Sequence, residues 1–176
     1  MVNERKIKLR YGAIDSEDCE WYDFIVKNIE ENLKVRLQQL HTLAPGSIGD
    51  QMHLELLSCD PEEGLYTMRC QTAEWMRNIA GTLHGGMCAT LVDQAMGCVA
   101  YCAKPGEGIA PTIEMNVTYH RPLIPGENVV IHVRLESATK HLMHLSAKAC
   151  RAAEPNKACI AATGVYFYKP AEECVK

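Results

Sequence analysis

The 176-residue sequence lacks three patterns, and each absence excludes a class of protein. No apolar run approaches the roughly 20 residues that are needed to cross a membrane. There is no basic block, and the net charge of −4 argues against binding to nucleic acid. The charged first ten residues lack the apolar core of a secretory signal. We therefore expect a cytoplasmic protein that has neither a membrane nor a nucleic acid as its partner.

A zinc-type cysteine motif is also absent, although the chain contains nine cysteines. The count is odd and no Cys-x-x-Cys occurs. Cys98 and Cys102 would share one helix face, but neither has an obvious histidine partner. In a reduced compartment, cysteines in apolar helix and strand positions behave as small buried hydrophobes. We expect neither a disulfide framework nor a metal.

The N-terminal part, residues 1–45, is predicted to be an extension of a single domain. Residues 1–10 have the composition of a mobile tail, and Ser16 is a plausible N-cap for a helix that ends before Pro45. Its apolar residues recur at near-helical spacing: Trp21, Ile25, Ile29, Leu33, Leu37 and Leu40. Because its polar face mixes both signs of charge, we expect this helix to cover a sheet edge or to contact another subunit.

The main domain, residues 46–170, is predicted to be α+β, followed by a short C-terminal tail at 171–176. Residues 87–103 have a helical pattern. Apolar alternation or short apolar runs predict strands at 52–56, 65–69, 112–119, 129–135, 143–149 and 159–168. This order favours one antiparallel sheet around one central helix. Since the sheet alone cannot enclose a helix that is apolar on all sides, we expect a second subunit to help cover it.

The central helix carries one charged residue, Asp93, and it starts at two glycines, Gly85 and Gly86. A carboxylate in a buried helix is costly unless it has partners, which suggests a function. A helix N-terminus without side chains presents N–H groups that stabilise negative charge. Together these features could activate a nucleophile toward a carbonyl group and hold the resulting oxyanion.

The spacing of these groups points to a site shared between two chains. Gly85 and Asp93 are eight residues apart, which is about 12 Å along one helix axis. An oxyanion donor must lie about 3 Å from its oxygen, and the base must reach the same carbonyl group. Two antiparallel copies of the helix would bring Gly85 of one chain to Asp93 of the other. We therefore expect a homodimer with two composite sites; pairing of dimers into a tetramer is left open.

Residues 78–86, with Leu91-Val92-Asp93 and Asn116-Val117-Thr118-Tyr119, resemble the hotdog-fold acyl-CoA thioesterases. The chain is most similar to their phenylacetate-pathway-type branch, which includes the thioesterase-superfamily-member-2 proteins. The resemblance spans roughly residues 52–168. It implies a curved antiparallel sheet wrapped around one long helix, here with an extra N-terminal helix. It also implies hydrolysis of acyl-CoA to free acid and coenzyme A without a cofactor.

The resemblance further implies roles for individual residues. The Gly85 N–H would polarise the thioester carbonyl, and Asp93 of the partner chain would act as general base or nucleophile. Asn78 would position the water or the thioester, and Thr112 would help to hold the water beside the acid. His84 would shape the loop and, with Gly86, contribute to substrate binding.

Several alternatives stay open at this point. Asp93 could belong to a structural hydrogen-bond network, His84 could be the base, Asn78 could be a turn residue, and Thr112 could be an ordinary strand residue. A non-catalytic acyl-CoA-binding protein is the main functional alternative. A dehydratase is less favoured because it would need an Asp-His pair on the helix. Candidate residues for the acyl pocket are Met87, Thr90, Met96 and Tyr101. Cations that could reach the coenzyme A phosphates, none of them singled out, are Arg77, Arg121, Lys140 and Arg151.

Overall fold

The computed structural model describes residues 16–104, 106 and 108–174. Its helices are α1 (Ser16–Thr42), α2 (Ile48–Gln51), α3 (Gly85–Cys102) and α4 (Ala171–Cys174). Its strands are β1 (Glu55–Asp60), β2 (Leu65–Gln71), β3 (Gly108–Ile109), β4 (Thr112–Tyr119), β5 (Asn128–Ala138), β6 (Leu142–Arg151), β7 (Ala158–Phe167) and β8 (Lys169–Pro170). The predicted tail at residues 1–10 lies outside the described residues.

Six strands form one antiparallel sheet in the order β1-β2-β5-β6-β7-β4, and β3 pairs with β8 separately. The predicted alternation is seen in β6, where Met143, Leu145, Ala147 and Ala149 are buried and the residues between them are more exposed. Helix α3 contacts β2, β4, β5, β6 and β7, so the sheet wraps around it. This is the hotdog arrangement that the resemblance implies, with α1 added to it.

Helix α1 packs against α3 and β1 within the same chain. Ile25, Ile29, Leu33 and Leu37 form its buried stripe, as the periodicity predicts, while the Trp21 side chain lies outside the described residues. Part of the cover that α3 needs is therefore supplied by the chain itself rather than by a second subunit. None of the helices in the described ranges combines the length and the hydropathy required to cross a bilayer.

The first predicted strand was wrong by about three residues. Residues 52–56 were expected to be extended, but β1 begins at Glu55. The Ser47 hydroxyl accepts a hydrogen bond from the Asp50 N–H and caps α2, whose last turn reaches Met52. A side-chain cap of this kind stabilises a helix start, and here it delays the entry of the chain into the sheet.

The described cysteines behave as expected, apart from the accessible Cys59 and Cys174. The eight cysteines whose side chains the structure describes are free, and six of them are buried; the Cys19 side chain lies outside the described part. Burial raises the pKa of the Cys70 thiol to about 12 and that of Cys88 to about 11. These thiols are protonated at neutral pH, so they act as packing groups rather than as nucleophiles.

Candidate active site

The loop before α3 is held by the side chain of Asn78. Its amide nitrogen donates to Thr82 Oγ1 at 2.9 Å, and its oxygen accepts from the N–H groups of Ala80 and Thr82 at 2.9 and 3.2 Å. Gly81, with φ of +83°, closes the turn in a backbone conformation that favours glycine. Asn78 thus has the turn role that was left open above, and its predicted role in positioning substrate stays a prediction.

His84 caps the N-terminus of α3. Its Nδ1 accepts a hydrogen bond from the Gly86 N–H at 3.0 Å. Because Nδ1 accepts this hydrogen bond, the cap occupies the lone pair of that nitrogen. A Cβ at Gly86 would come within 3.2 Å of this Nδ1, so glycine keeps the cap in place. This geometry favours the structural role of His84 over the catalytic one.

Gly85 is the first residue of α3, and its N–H has no acceptor among the described residues. Its carbonyl oxygen accepts a hydrogen bond of 3.0 Å from the hydroxyl of Tyr119, the last residue of β4. A Cβ at Gly85 would make only ordinary contacts with the Tyr119 ring, the nearest at 3.8 Å. The chain itself therefore has room for a side chain here.

Asp93 lies two turns further along α3, and two hydroxyl groups hold its carboxylate. Thr112 Oγ1 donates to Asp93 Oδ1 at 2.8 Å, and the Tyr166 hydroxyl donates to the same oxygen at 2.9 Å. Within the described part of the chain no donor reaches Oδ2. One carboxylate oxygen is therefore oriented, and the other is free to accept a proton.

The resemblance implied that Thr112 would help to hold a water beside Asp93, whereas in the structure Thr112 donates to Asp93 itself; Tyr166 was missed. Thr112 and Tyr166 are paired across β4 and β7, and the register shifts between Thr112 and Glu114. Such a bulge re-aims the side chains next to it, and bulges are frequent beside active sites. Burial, and then the charge of Asp93, raise the pKa of Tyr166, which keeps the phenol protonated and able to donate. The position of Tyr166 beside Asp93 depends on the register of β4 and β7, and a single sequence does not reveal that register.

Asp93 is half-buried rather than buried as expected, because it faces an open cleft of about 410 Å³. Besides Asp93, this cleft is lined by Arg36, Gln94, Gly97, Tyr101, Gly108, Ile109, Ala110, Pro111, Thr112 and Tyr166. The Tyr101 prediction agrees with this lining, but Met87, Thr90 and Met96 are not part of it. Met96 is fully buried under the sheet, and the Thr90 hydroxyl is bonded to the Gly86 carbonyl.

Arg36 of α1 is part of the cleft lining, and the sequence did not lead us to expect this residue there. Its guanidinium carbon lies 4.2 Å from the centroid of the Tyr101 ring, a cation–π contact. Within 16–104, 106 and 108–174 no carboxylate forms an ion pair with Arg36. An arginine next to the apolar stripe of a helix lies at the margin of the buried face. This position in the sequence could have indicated that Arg36 contacts the rest of the domain.

The cations considered for coenzyme A differ in how far they are already engaged. The Arg151 guanidinium pairs with Glu127 at 2.6 Å and with Glu154 at 3.3 Å. Arg121 donates to the Ala158 carbonyl, and Arg77 lies 3.8 Å from Glu74. Arg151 is therefore the least available of these groups for a phosphate.

Residues 80–156 match the model of the thioesterase superfamily, so the match includes both Gly85 and Asp93. Mouse acyl-coenzyme A thioesterase 13 is 32% identical over 124 residues, which cover 69% of this chain and 81% of the relative. The structure of zebrafish thioesterase superfamily member 2 aligns with a TM-score of 0.66 and 24% identity, over 78% of this chain and 98% of that one. A Streptococcus mutans protein solved with acetyl-CoA aligns with a TM-score of 0.57 and 19% identity, over 66% and 89%.

The structural neighbours show the same fold, and the mouse relative establishes the family. Its 32% identity extends over more than two thirds of both chains, and the residues that match the family model, 80–156, include all of α3. The chain therefore belongs to the thioesterase superfamily and is a hotdog-fold thioesterase.

Proposed function

We propose that the protein hydrolyses acyl-CoA thioesters to free acid and coenzyme A, at a site made by two chains. Support for the substrate class comes from the relative named acyl-coenzyme A thioesterase 13 and from the neighbour solved with acetyl-CoA. One observation supports the composite site. Asp93 is hydrogen-bonded to Thr112 at the start of β4, and Gly85 is hydrogen-bonded to Tyr119 at the end of the same strand.

Strand β4 is suited to pair with its own copy. It is an edge strand of the six-stranded sheet, and its exposed residues include the apolar side chains of Ile113 and Tyr119. An edge strand offers unpaired N–H and C=O groups to another chain. A two-fold axis at the middle of an antiparallel β4–β4 pair would set Thr112 of one protomer opposite Tyr119 of its partner. Asp93 of each chain would then approach the Gly85 N–H of the other.

The chemistry follows from the free groups at these two positions. Asp93 Oδ2 accepts a proton from water while the water oxygen attacks the thioester carbon. The N–H of Gly85 from the other chain donates to the oxyanion that forms. Collapse of the intermediate breaks the carbon–sulfur bond and releases the acid, and the proton returns to the coenzyme A sulfur. Water is the only co-reactant.

Direct attack by Asp93 through a mixed anhydride would use the same free oxygen. In a single turnover in H₂¹⁸O, label on the protein identifies direct attack. General-base catalysis places ¹⁸O in the released acid during the first turnover. With direct attack, hydrolysis at the Asp93 carbonyl leaves ¹⁸O on the protein instead. The two products are measured by mass spectrometry of the acid and of the Asp93 peptide.

The test of the function is release of coenzyme A thiol from acetyl-, hexanoyl-, lauroyl-, palmitoyl-, phenylacetyl- and benzoyl-CoA. Asp93→Asn keeps the shape of the side chain but removes the base, and general-base catalysis is typically worth 10²–10⁴-fold, so we expect turnover to fall at least about 100-fold. Asp60→Asn, the same change at the exposed last residue of β1, is the matched control. Saturable binding without turnover in the folded wild type would instead identify an acyl-CoA-binding protein.

A further inference from the structure

A second group of ligating side chains lies where the end of α1, the short helix α2 and the turn after it meet. His41, Asp50 and His53 each offer a nitrogen or oxygen atom, and these atoms lie within 4.8 Å of one another. His41 and Asp50 are half-buried and His53 is exposed. Across the described chain this is the single group of three such side chains so close together. None of the three lines the cleft at Asp93.

The three side chains are already arranged around a small volume. His41 Nδ1 lies 2.7 Å from Asp50 Oδ1, and the His41 and His53 rings stack with their centroids 5.1 Å apart and an angle of 21° between the planes. Two ligands of a tetrahedral Zn²⁺ at about 2.0–2.1 Å are about 3.3 Å apart. Insertion of the ion therefore requires the His41–Asp50 pair to open by about 0.6 Å.

The Asp50 carboxylate is also hydrogen-bonded by the loop between α1 and α2. The Gly46 N–H donates to Asp50 Oδ2 at 2.6 Å, and the Asp50 N–H donates to Ser47 Oγ at 3.2 Å. Gln51 Nε2 donates to the Gly46 carbonyl at 2.9 Å and closes the loop. Such outer contacts orient the ligands of a metal site and strengthen binding. Asp50 therefore has one oxygen fixed and the other directed at His41.

His53 has an unusual backbone conformation for a residue with a side chain. Its φ is +44°, and within 16–104, 106 and 108–174 it is the sole residue other than glycine with a positive φ. The His53 N–H donates to the Asp50 carbonyl at 3.2 Å in the tight turn after α2. Histidine reaches the left-handed region more readily than most residues, but glycine would fit this turn with less strain. A histidine at a position that favours glycine indicates that its side chain has a role.

We propose that His41, Asp50 and His53 bind one Zn²⁺ ion and thereby link the end of α1 to the turn that leads into β1. Two imidazoles and a carboxylate are ligands that zinc accepts, and three protein ligands leave one coordination position for water. His53 also lines a cleft of about 750 Å³ with Arg69, Thr72, Trp75 and Asn128, so the open position has access to solvent. The site is separate from thioester hydrolysis, because Asp93 has its own partners.

The test is isothermal titration of chelator-treated, untagged protein with ZnCl₂, together with the melting temperature at each addition. We expect one saturable equivalent and a rise in melting temperature. His53→Gln and Asp50→Asn should each weaken binding at least about 10-fold, since they remove a direct ligand. His120→Gln, at an exposed histidine outside the cluster, should bind as the wild type does. The spectrum of the Co²⁺-substituted protein reports the coordination geometry.

His53→Gly separates loss of a ligand from loss of fold. Glycine fits φ of +44°, and relief of this strain offsets the greater freedom of the unfolded chain, so this variant should fold as the metal-free wild type does and should still lose the zinc-dependent rise in melting temperature. Zinc binding that is unchanged in His53→Gly or His53→Gln would overturn the proposal. The absence of a saturable equivalent in the wild type would also overturn it. The three residues would then be only a His41–Asp50 hydrogen bond with the His53 ring stacked on His41.

Discussion

Tyr166 donates a hydrogen bond of 2.9 Å to Asp93 from the last long strand of the sheet, 73 residues further along the chain. Because Thr112 donates to the same oxygen, the two hydroxyls orient one carboxylate between them.

Tyr166→Phe removes the hydroxyl but keeps the buried ring. We expect kcat to fall about 10-fold, because a hydrogen bond to a charged acceptor contributes about 1.5–3 kcal/mol and Thr112 still holds the same oxygen. Steady-state kinetics measures the loss, and the melting temperature shows whether the fold is intact. Combined with Thr112→Val, the change should be non-additive, since both donors serve one oxygen. Additive effects would show that the two hydroxyls act independently.

Gly85→Pro tests the oxyanion donor without disturbing the helix. Gly85 is the first helical residue, and His84 before it has φ of −63° and ψ of 136°, a conformation that precedes proline well. Proline removes the N–H, and we expect kcat to fall about 100-fold, as for other oxyanion donors. Gly85→Ala keeps the N–H and is the matched control for a side chain at this position. Equal losses in the two variants would contradict a role for the N–H.

Mixing Asp93→Asn with Gly85→Pro tests whether two chains share the site. A mixed dimer has one site with both Asp93 and Gly85 intact, so random reassortment of a two-fold dimer should restore about a quarter of wild-type activity. The measurement is thiol release after the two inactive proteins are denatured and refolded together. If both groups came from one chain, the mixture would stay inactive.

Arg36→Leu should change which acyl groups the cleft accepts. The guanidinium is half-buried against Tyr101, and burying an apolar chain beside it removes water from the charge. We expect the ratio of kcat/KM for lauroyl-CoA over acetyl-CoA to rise about 10-fold, equivalent to about 1.4 kcal/mol. Lys27→Leu, an exposed cation on the same helix, should leave the ratio unchanged. An unchanged ratio in Arg36→Leu would place the acyl group elsewhere.

The Arg151 ion pairs predict a stability that depends on pH. Hydrogen bonds from Arg151 lower the pKa of Glu127, and those from Lys157 lower the pKa of Glu154, both below the usual 4.5. Groups with a depressed folded-state pKa stabilise the fold above their unfolded pKa and lose this effect as pH falls through the folded value. Arg151→Met should therefore lower the melting temperature at pH 7 and have a smaller effect near pH 3. A difference that stays constant over this range would rule out the ion pairs as its source.

The features that sequence predicted best are those that depend on local pattern. The buried stripe of α1, the range of β4 and the placement of Asp93 and Gly85 on α3 follow from periodicity and glycine position. Asp93 was placed near Thr112 through resemblance rather than geometry. Tyr166 and Arg36 were missed, because a bulge between distant strands and the docking of α1 on α3 decide where they lie. Met96 was assigned to the pocket since a helix pattern does not say which apolar face meets the sheet.

The exposed edge of β4 also has a consequence for solubility. An unpaired strand that carries Ile113 and Tyr119 is a template on which a foreign strand could aggregate. Isologous pairing about a two-fold axis uses that edge in both chains, so growth of the sheet through β4 ends at two. The proposed dimer therefore protects the protein while it completes the site. A charged substitution at Ile113 should oppose pairing of the two β4 edges and therefore reduce hydrolysis, while the charge itself protects the exposed edge against aggregation.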